Sequence, residues 1–215
     1  MPPLPASAAP LLPTRLAPFR AVRVLLALVA AALALSACGP QSPAFKGSDV
    51  TGSAFGRDFA LVDFDGRPRT LADYRGKAVV LFFGYTQCPD VCPTTLSTLA
   101  EAMKQLGPDA DRVQALFVTV DPERDTAALL KEYVPAFDPR FVGLRGDAAQ
   151  IEAVAKEFRI IFQKVPGRTP ESYTVDHSAG LFLFDPAGRL RVYEGHGQPP
   201  DVLAYDLRAL LREGK

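Results

Sequence analysis

The chain has 215 residues, 24 of them basic and 24 acidic, with three cysteines and two histidines. A balanced charge gives the surface no general attraction for a polyanion, which sets nucleic-acid binding aside. The length suffices to bury a substantial core without covalent staples.

The first 37 residues read as an export signal. Residues 1–23 contain Arg15, Arg20 and Arg23 and no acidic side chain, and Val24–Leu35 is an unbroken run of 12 apolar residues. A bilayer-spanning helix needs about 20 such residues, whereas a signal peptide has a positive start and a short apolar run. Leu35-Ser36-Ala37-Cys38 resembles the bacterial lipobox, in which cleavage falls before a cysteine that is diacylated at sulfur. The resemblance implies a lipid on Cys38 and a protein anchored on the periplasmic side of a bacterial membrane, expected to be the inner one. Loss of residues 1–37 removes three arginines and no carboxylate, leaving a net charge of −3. Eight of the 17 residues in 39–55 are Gly, Pro or Ser, so 38–55 reads as a lipidated flexible tether and 56–215 as one domain.

Within the domain, Phe59–Asp63 and the segment around Arg69-Thr70-Leu71 flank Asp65-Gly66, the pattern of a β-hairpin. Ala78–Phe83 is a continuous apolar run, as expected of a strand covered on both faces. A helix follows from Pro93 to Leu106, with Pro in its first turn and Gly107-Pro108 at its end. Val113–Val120 reads as a second buried strand, 125–136 as an amphipathic helix, Phe141–Leu144 as a short strand and Ala148–Phe158 as a helix. Ile160–Val165, Gly180–Phe184 and Leu190–Tyr193 read as strands, the last two joined across Asp185-Pro-Ala-Gly188, and a helix closes the chain over 200–212. Strands alternating with helices and then a late hairpin predict an α/β fold: a thioredoxin-like mixed sheet with flanking helices and an added N-terminal β-hairpin. A flavodoxin-like sheet is the rival, which the late hairpin disfavours.

The chemistry concentrates in Gly84-Tyr-Thr-Gln-Cys88-Pro-Asp-Val-Cys92-Pro, between a buried strand and a helix N-terminus. Functional groups collect beyond the carboxyl ends of strands in open α/β sheets. The amides and dipole at a helix start favour thiolate over thiol, the form needed to ligate metal or attack a disulfide. Thioredoxin-type oxidoreductases have two residues between their cysteines, and here three intervene. A structural zinc site closes with four ligands, which the domain does not supply. Two thiolates and one imidazole suit copper, and Cu(I) needs no further donor. The imidazole must be His177 or His196. His177 precedes the strand Gly180–Phe184; if that strand runs antiparallel to Ala78–Phe83, His177 lies beside the cysteine loop. The same reading puts His196 at the opposite edge.

Tyr85-Thr-Gln-Cys88-Pro-Asp-Val-Cys92-Pro, Val120-Asp-Pro-Glu-Arg-Asp125 and Tyr173-Thr-Val-Asp-His177-Ser resemble the three signature segments of the Sco/SenC family. The resemblance runs over most of 55–213. It implies a thioredoxin-like fold in which Cys88, Cys92 and His177 hold copper, as Cu(I), Cu(II) or both. It also implies a role in maturing the copper A centre of cytochrome c oxidase, with apo-subunit II as partner and with a periplasmic copper donor and a thiol reductant upstream. The remaining imidazole nitrogen of a ligating histidine usually donates to a carboxylate, carbonyl or water. Asp121 and Asp176 are the candidates for that role, while Asp90 is a poor Cu(I) ligand. A competing function is thiol–disulfide exchange at Cys88 and Cys92 that keeps the target's cysteines reduced. A peroxiredoxin-like peroxidase fails on sequence, because the threonine of its Pro-x3-Thr-x2-Cys segment is missing before both cysteines.

Overall fold

Seven consecutive buried residues form the strand at the centre of the molecule, the apolar run Ala78–Gly84. The computed structural model describes residues 22–23, 44–169 and 172–213. The expected export signal and Cys38 lie outside the described residues, apart from residues 22–23. No helix among the described residues is long and apolar enough to cross a membrane.

The strands are β1 (Ser48–Asp49), β2 (Leu61–Asp63), β3 (Pro68–Arg69), β4 (Ala78–Gly84), β5 (Val113–Thr119), β6 (Val142–Arg145), β7 (Phe162–Pro166), β8 (Tyr173–His177), β9 (Leu181–Phe184) and β10 (Leu190–Glu194). The helices are α1 (Val91–Leu106), α2 (Ala127–Tyr133), α3 (Ala148–Glu157) and α4 (Pro200–Glu213). Eight strands form one sheet in the order β1-β10-β9-β4-β5-β6-β2-β3. β4, β5 and β6 run parallel, and β9, β10 and β1 continue the sheet antiparallel on one side. The β2–β3 hairpin closes the other side by pairing antiparallel with β6. This is the expected thioredoxin-like mixed sheet with its N-terminal hairpin.

The two faces of β4 bury different partners. Phe83 meets Phe158, Phe182 is edge-on to both, and Phe184 extends the cluster. Phe82 instead packs on Phe117, which meets Tyr133 of α2. Local signals set the helix ends. Asp147 and Gln150 exchange side-chain and backbone hydrogen bonds of 2.8 and 2.9 Å in a capping box that starts α3. α1 stops at Gly107, whose φ of 60° a side chain would resist.

Two expectations change. Residues 44–55, read from sequence as the end of the tether, belong to the compact unit that begins at Ala44. Ser48 and Asp49 pair with Tyr193 and Val192. The Asp206 carboxylate accepts the backbone N–H groups of Lys46 and Gly47 at 2.8–3.1 Å, and Phe45, Val50 and Phe55 pack against the core. A few apolar anchors in a Gly/Ser-rich stretch suffice once backbone groups find partners. The second change concerns Ile160–Val165, observed as β7. It joins no part of the main sheet and forms a separate ribbon with β8, a strand absent from the sequence reading.

Candidate metal centre

Three side chains converge at the carboxyl end of β4. Cys88 sits in the loop after the strand, Cys92 is the second residue of α1, and His177 ends β8. β9 pairs antiparallel with β4, with Leu181 beside Phe82. The chain entering β9 therefore reaches the rim where β4 ends, as the sequence reading required. One donor atom from each of Cys88, Cys92 and His177 lies within 4.8 Å of the others, and no other such cluster of three occurs among the described residues. Cys92 Sγ and His177 Nε2 are 3.4 Å apart. Bond lengths of about 2.3 Å to thiolate and about 2.0 Å to imidazole put three planar donors about 3.7 Å (sulfur to nitrogen) to about 4.0 Å (sulfur to sulfur) apart, so the cluster closes on a metal with little movement.

The tautomer is right for binding. His177 Nδ1 is 3.0 Å from the Ser178 carbonyl oxygen, which can only accept. The proton therefore sits on Nδ1, and the Nε2 lone pair faces the sulfur. Burial holds the His177 pKa below its ordinary value, keeping the ring neutral. Phe82 and Tyr85 flank the imidazole edge-on, with ring centroids at 6.3 and 5.9 Å.

The two thiols differ. Cys88 is half-buried, whereas Cys92 is fully buried. Its backbone N–H donates to Cys88 Sγ over 3.4 Å. Burial pushes the Cys92 thiol well up, against the lowering effect of the Tyr85 N–H directed at its sulfur. The expectation that the helix start would favour a thiolate fails at Cys92, because desolvation outweighs the aligned amides. The sulfur packs so closely on the strand that a Cβ on Gly84 would fall 2.8 Å from it. Cys88 opens onto a groove of about 320 Å³ between Tyr85, Pro89, Val91 and the β8 residues Val175 and His177.

The carboxylates expected to orient His177 do something else. Asp121, fully buried, accepts from Arg124 Nε and from the Tyr173 hydroxyl at 2.8 Å. Asp176 is exposed on the ribbon opposite Gln163, and its charge only weakly favours protonated His177. The carbonyl of Ser178, the neighbour of His177, takes the role instead. Asp90 stands exposed just before α1, with Thr94 Oγ1 donating to it over 3.3 Å.

His196 also departs from expectation. Glu194 at the end of β10 pairs with Leu181 at the start of β9, so His196 lies at the same rim as the cysteines. There it is exposed, with Nδ1 3.5 Å from Thr95 Oγ1, and does not join the donor cluster. Sequence reasoning passed over Tyr85, Gln87, Arg124 and Tyr173 as contributors to the rim, although all lie in or beside the segments quoted above.

Comparison with known proteins agrees with this geometry. The sequence profile of the SCO1/SenC family matches residues 48–212. The chain is 41% identical over 153 residues to the mitochondrial SCO2 homolog of Bos taurus, a match covering 70% of this chain and 58% of that protein. A solved structure of Bradyrhizobium japonicum ScoI with copper bound is 43% identical and superposes with a TM-score of 0.68, covering 74% of this chain and all of that one. The apo Sco1 of Thermus thermophilus is 40% identical with a TM-score of 0.70, covering 80% of this chain and all of that one. The chain belongs to the SCO1/SenC family.

Proposed function

We propose that this protein binds copper through Cys88, Cys92 and His177 and serves cytochrome c oxidase assembly by delivering it to the copper A site of apo-subunit II. The observation that carries the reading is the cluster itself: two sulfurs and one imidazole, all within 4.8 Å and belonging to separate elements. Soft sulfur and imidazole nitrogen form a donor set that copper favours over hard cations. The copper-bound state of the similar Bradyrhizobium protein supports it.

Copper is cargo in this scheme. A three-donor site leaves room for an incoming ligand, and the half-buried Cys88 faces the open groove. A thiolate of the acceptor can join from the groove before a protein ligand leaves, so no free ion is released. Export, lipid attachment at Cys38, residence on the periplasmic side of the inner membrane, and supply by a periplasmic copper donor and thiol reductant complete the proposal.

Titration of the reduced protein should saturate at one copper per chain, and the loaded protein should transfer copper to an apo copper A domain. Unchanged affinity in His177→Ala would overturn the copper reading. A second reading, thiol–disulfide reductase for the acceptor's cysteines, is favoured by the contact between the Cys92 amide and Cys88 Sγ, which brings the two thiols together. Full complementation by His177→Ala would select the reductase, and failure of that variant would select copper.

A further inference from the structure

The donors arrive on pieces of chain that share no sheet. β8 carries His177 but pairs only with β7, and its other edge meets no strand among the described residues. Side chains occupy that edge instead. Arg124 Nη1 donates to the Tyr173 carbonyl oxygen at 3.0 Å, and the Val175 N–H is directed at the Tyr85 hydroxyl.

Arg124 makes contacts on both sides of the gap. The same Nη1 donates to Gln87 Oε1 at 3.1 Å, one residue before Cys88. Nε donates to the buried Asp121 carboxylate beyond β5. The guanidinium lies 3.5 Å from the Tyr173 ring centroid and 5.7 Å from that of Tyr85. Tyr173 in turn donates its hydroxyl to the other Asp121 oxygen at 2.8 Å. One planar cation thus joins a fixed carboxylate, the cysteine loop and the first residue of the histidine strand. A planar group with several donors and two stacking faces can make this junction, and an ammonium cannot.

We propose that Arg124 is a positioning residue for copper capture: it docks the β7–β8 ribbon on the cysteine loop, so that His177 faces both thiols before metal arrives. This rests on the copper reading above for its purpose, but not for its structural content. With the ribbon undocked, the two thiols remain and the imidazole must be recruited at the cost of ordering five residues. Lys164, whose Nζ lies 4.9 Å from the Tyr173 ring and donates to Glu123, holds the ribbon's outer side and does not reach the cysteine loop.

The test uses Arg124→Met, with Arg124→Lys as a milder variant should the first fold poorly. In the metal-free protein, amide hydrogen exchange at residues 173–178 should accelerate while the amides of β4 and β5 keep their protection. Exchange at 173–178 unchanged from wild type would overturn the proposal whether or not copper binds. With copper, Arg124→Met should weaken Cu(I) binding by roughly 10- to 100-fold and shift the Cu(II)–thiolate absorption toward that of His177→Ala. In the His177→Ala background the same substitution should change affinity little. A full additive loss there would mean general destabilisation and would also overturn it. Absence of copper binding by the wild-type protein would remove the functional reading and leave the exchange result to decide the structural one.

Discussion

Cys92 Sγ and His177 Nε2 stand 3.4 Å apart across 85 positions of sequence. The parallel β4–β5 pair fixes the sulfur at the head of α1, and the reversal into β9 returns the chain to the same rim. The imidazole is neutral, points its lone pair at the sulfur and has its other nitrogen tied to the Ser178 carbonyl. Capture also requires loss of the thiol proton from Cys92, which burial resists.

That requirement predicts a pH dependence. Burial raises the Cys92 pKa and lowers that of His177, so at neutral pH copper must displace a thiol proton but none from the imidazole. Apparent Cu(I) affinity should therefore climb with pH between 6.5 and 8.5, by about tenfold per unit for each proton displaced. Competition against a chelator of known proton balance measures the slope, and a flat profile would mean Cys92 is already ionised.

Removing the imidazole separates the copper and reductase roles. His177→Ala should lose more Cu(I) affinity than the roughly 10- to 100-fold that loss of an outer contact costs, yet keep both thiols titratable. Oxidation of the pair by a small disulfide should proceed in the variant as in the wild type.

Gly84 carries a steric prediction. A Cβ there would fall 2.8 Å from Cys92 Sγ and 2.8 Å from Phe117, both of them core atoms. Gly84→Ala should cost about 1–3 kcal/mol of stability by overpacking and weaken copper binding as the sulfur moves. Denaturant unfolding and copper titration on one preparation check both.

Glu194 predicts a stability profile unrelated to copper. It is fully buried beside Asp206, its oxygens lack a donor among the described residues, and burial followed by the Asp206 carboxylate pushes its pKa up to about 8. Its folded pKa thus exceeds the ordinary 4.5, so the folded state holds the extra proton between these values. The stability this proton gives is fully present below about pH 4.5 and is lost as pH rises toward 8. The slope reaches about 1.4 kcal/mol per unit. Glu194→Gln should erase that decline and be the more stable form at pH 8, as paired thermal melts across pH would show. Because Asp206 holds the Lys46 and Gly47 amides, exchange at those two amides should fall in the variant.

The central strand was legible because a strand covered on both faces reads as an unbroken apolar run, and Ala78–Phe83 is one. Both cysteines and His177 were legible as a pattern of soft donors at a strand end. The ribbon strand was not, since Thr174 and Asp176 make Tyr173–His177 look like a polar loop. His196 was misplaced through topology: β10 reverses β9, which returns the chain to the starting rim. The state of Cys92 could not be read either, because a helix start argues for thiolate and only the packing of Gly84 and Tyr85 around the sulfur reveals the larger effect of desolvation. Asp121 drew notice as a carboxylate near the histidine, but its partner Arg124 lies three residues on, and which groups that cation reaches depends on the docked ribbon.

The most direct test is copper K-edge X-ray absorption on the Cu(I)-loaded wild-type protein. The expected result is two sulfur neighbours at about 2.3 Å and one nitrogen at about 2.0 Å, with the nitrogen shell absent in His177→Ala. A wild-type spectrum fitted by sulfur alone, identical to that of the variant, would contradict the assignment of His177 as a ligand.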